Sequence, residues 1–123
     1  MTPGSETLSR TMHRHRQLAR QVQRLDEELG LHHGLSWSDL LLLDALHEAG
    51  GRLPMRQAAA ATGRSAAALL RQVLPMEKIG LVQRERDGGA ATVWVLAAGG
   101  ARRLREARDT AHGVLLEAAG AEL

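Results

Sequence analysis

The chain contains no cysteine, no phenylalanine and no tyrosine, and Lys78 is its single lysine. Without cysteine there is no disulfide framework, no thiolate metal site and no cysteine nucleophile, so the core must hold by packing alone. The scarcity of aromatic rings removes the stacking platforms on which single-strand and RNA binders lay their bases. No apolar run approaches the roughly 20 residues that span a bilayer, and the N-terminus lacks the charged-then-apolar pattern of a secretory signal. A cytoplasmic protein is therefore expected. Enzyme chemistry is not indicated: Gly50-Gly51 and Gly99-Gly100 fall at helix boundaries rather than in a phosphate loop, and no histidine, serine and acid are spaced for catalysis.

What is present fits one domain, residues 1–123, with room for completion by a partner copy. The formal net charge is +2, and nearly all the positive charge sits on arginine. Arginine offers a planar fork of donors suited to phosphates and guanine edges, which favours an anionic partner, and with so few rings duplex DNA in particular. A genome rich in G and C would raise arginine and alanine equally, so composition alone does not decide the matter.

Periodicity organises the chain. Leu8, Met12, Leu18, Val22, Leu25 and Leu29 recur at helical spacing, predicting a long helix over 6–30 with Gly30 as its C-terminal stop. Its narrow stripe needs cover, from the same domain, from a second copy or from both. Ser36, with Asp39 three residues on, predicts the start of a second helix, and the run Leu40 to Leu43 predicts that this helix is the most buried. Arg52-Leu53 reads as a short strand, with Pro54 opening a helix from Met55 to Ala61. Thr62-Gly63-Arg64 makes a tight turn, and Ser65 caps a further helix through about Leu74, which Pro75 kinks or ends there, the stretch closing at Lys78-Ile79-Gly80. Two short helices about a glycine turn form a helix-turn-helix. The period then changes. Leu81 to Arg86 and Ala91 to Leu96, separated by Asp87-Gly88-Gly89, read as a hairpin, and 101–120 as a last helix.

This order, together with Met76-Glu77-Lys78-Ile79-Gly80-Leu81-Val82-Gln83-Arg84 and Val93-Trp94-Val95-Leu96-Ala97-Ala98-Gly99-Gly100, resembles the MarR family of winged helix-turn-helix regulators. The family's first stretch reads approximately Leu-Glu-Lys-Lys-Gly-Leu-Val, then a variable residue and Arg. The resemblance implies a mainly α fold with a small β-hairpin wing (α+β), in which 35–100 is the DNA-binding unit and helices 6–30 and 101–120 form a homodimer body. It implies a DNA-binding transcriptional regulator, by family habit a repressor, whose helix 65–74 enters the major groove. The dimensions agree: a helix fits the major groove, and a two-fold dimer reads a near-palindromic site. A small-molecule effector is implied by the likeness alone, and no cofactor is.

Candidate residues follow. With Leu69, Leu70, Val73 and Leu74 expected inward, Arg64, Ser65, Ala67, Ala68, Arg71 and Gln72 face DNA, Arg71 towards guanine or phosphate and Gln72 towards adenine. Ala66 to Ala68 can touch thymine methyls only, so specificity is modest or rests on DNA shape. Arg84 and Arg86 flank the wing tip, where Gly88-Gly89-Ala90 replaces the family's arginines. Ala97 replaces the usual capping threonine, and with so short a last helix the family's additional C-terminal helix is expected to be absent. Dimer contacts fall to Leu8, Met12, Leu18, Val22, Leu25, Ala111, Val114 and Leu115. An effector cleft would involve His13, Trp37, Leu41 and Leu104, although Trp37 serves equally as core. The histidines at 13, 15, 32, 33, 47 and 112 carry no metal-ligand spacing: His13 and His15 point in different directions, and His32-His33 is expected in a loop. The alternative function is a winged-helix module that works by protein contact and binds DNA weakly or not at all.

Overall fold

The computed structural model describes residues 3–86, 88, 89 and 91–121. Five helices and three strands follow in the order α1 (Pro3–His33), α2 (Trp37–Glu48), β1 (Arg52–Pro54), α3 (Met55–Thr62), α4 (Ala66–Lys78), β2 (Val82–Arg86), β3 (Thr92–Leu96) and α5 (Ala98–Ala121). The strands form one antiparallel sheet ordered β1-β3-β2, with Leu53 opposite Trp94 and Arg84 opposite Trp94 on its other side. The expected α+β winged helix-turn-helix fold is the observed one.

Local chemistry sets most boundaries. At the start of α2 the Ser36 hydroxyl accepts from the Asp39 amide at 3.0 Å while the Asp39 carboxylate accepts from the Ser36 amide at 2.9 Å, a reciprocal box that satisfies two orphan donors. Gly63, at φ 68°, closes α3 with the amides of Gly63 and Arg64 bonded back to Ala60 and Ala59. Ser65 then caps α4 through the Ala68 amide. Pro54 ends β1 and stands as the N-cap of α3, one place before the helical position expected for it.

Three boundaries differ from expectation. Helix α1 continues past Gly30 and stops at Gly34, at φ 66°. Tertiary contacts hold the extra turn: the Arg103 guanidinium donates to the His33 carbonyl at 2.6 Å, and the His33 ring bonds Thr110 at 2.7 Å. His32 and His33 are thus helical rather than in a loop. Pro75 does not end α4, which runs through it to Lys78, because buried Val73 and Met76 anchor the helix on both sides while Pro75 itself is exposed. Helix α5 begins at Ala98, so that Gly99 and Gly100 lie in its first turn. A Cβ on Gly100 would stand 2.0 Å from the Leu81 carbonyl oxygen, and only glycine permits this approach.

The core joins both layers. Leu25, Leu29, Leu104, Ala107, Ala111 and Val114 pack α1 on α5, while Leu42, Leu43, Leu46, Ala58, Leu69, Val73 and Trp94 fill the space between α2, the helix-turn-helix and the sheet. Leu25, Ala111 and Val114, expected at the interface, are buried in the chain's own core. Leu8, Met12 and Leu18 are exposed, Leu115 is at the margin and Val22 is half-buried. The expectation of a uniformly buried α2 also fails at Leu41, which faces outward.

Candidate nucleic-acid interface

Helix α4 is held on its scaffold by polar contacts at each end. Just before its start, Arg64 Nη1 donates to the Ser38 hydroxyl at 2.9 Å, and from its centre Gln72 Nε2 donates to Ser38 Oγ at 3.2 Å and to Asp39 Oδ1 at 2.9 Å. Asp39 thus caps its own helix with one carboxylate oxygen and receives α4 with the other. At the far end, the Glu77 carboxylate accepts two bonds from the Arg84 guanidinium, at 2.9 and 3.3 Å, and that guanidinium lies 5.1 Å from the centre of the Trp94 ring. Trp94 is fully buried, and its indole N–H points to Met55 Sδ at 3.3 Å at the start of α3. A fork on a carboxylate, stacked on a ring, joins α4 to the wing.

These contacts sort the expected DNA-facing residues. Arg71, Ser65 and Ala67 lie exposed on the outer face of α4, Ala68 is half-buried, and Arg71 makes no hydrogen bond or ion pair among the described residues. Arg64 is exposed but tethered to α2. Gln72, expected to face adenine, is turned inward with its amide nitrogen donating to Ser38 and Asp39 on α2. Leu70 and Leu74, expected inward, are 37% and 42% exposed. The helical wheel explains this: Leu69, Val73 and Met76 already occupy the inward arc, Leu70 falls beside it and Leu74 on the outer ridge. On the wing, Arg86 is exposed, Arg84 is engaged with Glu77 and Trp94, and the neighbouring Glu85 pairs with Arg52. Of the tip residues, Asp87 and Ala90 lie outside the described residues.

A groove of about 250 Å³ opens between α2 and α5, lined by Trp37, Leu40, Leu41, Asp44, Arg108, Ala111, His112 and Leu115. Of the residues expected at an effector cleft, Trp37 and Leu41 line this groove. Leu104 does not, being buried in the core, and His13 does not, lying on the exposed first half of α1. Sequence reasoning missed Arg108 and His112, the groove's polar flank; their spacing of four on α5 was the available signal. Arg108 donates to Asp44 at 3.2 Å across the groove. Ala97, at the foot of α5, donates its amide to Leu81 and accepts from Ala101 through its carbonyl, so the first turn is tied down by backbone where a side-chain cap was lacking. Among the described residues no three histidines or acids converge as a metal site would require.

A helix-turn-helix braced by a β-wing, with a cationic outer helix and flanking long helices, defines a winged helix-turn-helix protein. No family model and no curated protein matches the sequence. Solved structures do match. BldR, a transcriptional regulator from Sulfolobus solfataricus, superposes with a TM-score of 0.87 at 23% identity, covering 95% of this chain and 84% of that one. AbsC, a MarR family transcriptional regulator from Streptomyces coelicolor, gives 0.77 at 26% identity over 94% and 78%. Sco3205, a MarR family regulator from the same organism solved in complex with DNA, gives 0.82 at 23% identity over 100% and 80%. The chain carries the fold of the MarR-family transcriptional regulators.

Proposed function

We propose that this chain is a DNA-binding transcriptional regulator that binds near-palindromic duplex sites as a homodimer and represses by occupying them. The observation that carries the reading is the outer face of α4. Arg71 and Lys78 stand there exposed and without ion pairs among the described residues, on a helix held by polar contacts to α2 and the wing, and Arg56 on α3 and Arg86 on the wing are exposed as well. Cations on a firmly held helix of groove-fitting width suit phosphates and base edges. The likeness to a neighbour solved with DNA supports the same reading.

A second copy is called for by α1. Every residue from Gly4 to Arg16 is exposed, so the first half of this helix has no cover from its own chain. Helical segments of this length without packing are marginal in water. Leu8, Met12 and Leu18 continue the stripe whose later members are core, and a groove of about 290 Å³ beside them is lined by Gln17, Arg20, Gln21, Arg24, Val114, Leu115 and Ala118. The α1 and α5 helices of a partner cover this surface. An effector, in this reading, enters the α2–α5 groove. It shifts α4 through Asp39, which lies on the helix that lines the groove and also holds Gln72.

Selection from a pool of random duplexes, with the solution mass measured alongside, tests the proposal. A near-palindromic site enriched by a species of twice the 13.3 kDa chain mass supports it. A monomer, or a dimer that ignores duplex DNA at low salt, replaces it with the protein-contact module.

A further inference from the structure

The outer face of α4 is not uniformly polar. Ala67, Arg71, Leu74 and Lys78 recur at helical spacing along its ridge, so cations alternate with apolar groups, and Leu70 stands beside Arg71 on the wing side. Leu70 and Leu74, 37% and 42% exposed, have no place in the chain's core, where Leu69, Val73 and Met76 already fill the inward arc. Leu70 and Leu74 stand one helical turn apart and form a small apolar pair that an apolar occupant would bury. The neighbouring charge narrows the choice: Arg71 and Lys78, on the same ridge as Leu74, are positive, which fits a polyanion and opposes a second cationic copy of the same face. Within duplex DNA the apolar groups presented in the major groove are the C5 methyls of thymine and of methylated cytosine.

Resting on the reading of α4 as the groove-entering helix, we infer that Leu70 and Leu74 are specificity-determining residues that select C5-methylated pyrimidines beside the base pair engaged by Arg71. The face offers one hydrogen-bonding fork and two methyl-seeking side chains. Gln72, the other polar side chain of the helix centre, is spent on Ser38 and Asp39. The site is accordingly read as a guanine flanked by methyl groups, with discrimination carried by apolar contact rather than by several hydrogen bonds.

The experiment compares an enriched duplex with the same duplex in which deoxyuridine replaces thymidine one position at a time, which deletes a methyl group and leaves base pairing intact. At the contacted positions deoxyuridine weakens binding by about fourfold per methyl, as expected for one lost buried carbon. Replacing thymidine by 5-methylcytosine opposite guanine retains more affinity than replacing it by cytosine. In Leu70→Ala combined with Leu74→Ala the thymidine-to-deoxyuridine ratio collapses towards one, while melting temperature stays within the range of a surface change. Equal affinity for thymidine and deoxyuridine duplexes at every position overturns the inference, as does a double variant that keeps the full ratio. If the double variant alters self-association and leaves base discrimination untouched, the leucines belong to a protein contact and the inference falls. Absence of any duplex binding at low salt overturns the parent reading, and this outcome is distinct from binding that ignores methyl groups.

Discussion

Gln72 Nε2 donates to Asp39 Oδ1 at 2.9 Å, and this one bond ties the centre of the outer helix to the N-terminus of the most apolar helix in the chain. Because the other oxygen of Asp39 caps α2, the pose of α4 and the start of α2 depend on the same carboxylate. Gln72→Ala removes the contact with Asp39 and Ser38 and is expected to cost about 1 kcal/mol of stability. Affinity for DNA should fall by a similar factor on every sequence, since the helix moves as a unit. A loss confined to one base pair, measured across single-position variants of an enriched site, would restore Gln72 as a base reader.

Arg71→Ala should behave in the opposite way. Its side chain has no partner among the described residues, so the melting temperature stays unchanged, while affinity drops and the salt slope of binding shrinks by about one if the contact is to phosphate. If the contact is to guanine, the drop is about 1–3 kcal/mol and concentrated at one position.

Arg84→Ala separates a structural arginine from a DNA-binding one. The pair with Glu77 is about one-third to two-fifths exposed, so its loss costs no more than about 1 kcal/mol. The diagnostic change is at Trp94: with its guanidinium cover gone, its emission shifts to the red. Unchanged emission would show that Arg84 does not shield the ring.

Two glycines of one helix give a paired test. Gly100→Ala drives a methyl group into the Leu81 carbonyl and costs about 1–3 kcal/mol or more. Gly113→Ala meets nothing within 4 Å and should stabilise α5 by about 0.5–1 kcal/mol. Thermal melts of the two variants shifting in the same direction would contradict the placement of α5.

How much of this was legible follows from the range of each signal. Local rules placed Ser36 with Asp39, Gly63 and Ser65 correctly, since each acts within a few residues of itself. Gly30 and Pro75 misled because both are tolerated when distant contacts outweigh local preference: Arg103 and Thr110 hold the turn after Gly30, and Val73 with Met76 carries α4 past Pro75. The site was half legible. Arg71 could be placed by periodicity, whereas the inward turn of Gln72 depends on Ser38 and Asp39, over thirty residues away. Likewise Leu25, Ala111 and Val114 look like interface residues along the sequence and become core only because α5 returns to α1.

The salt dependence of affinity for an enriched duplex tests the central claim most directly. A dimer that binds through exposed cations on α4 and the wing releases counterions, so the logarithm of its affinity falls steeply and linearly with that of salt concentration, with a slope of about −0.9 for each phosphate neutralised. Binding that is weak at low salt and flat across the series would contradict the account and leave a winged-helix module that works by protein contact.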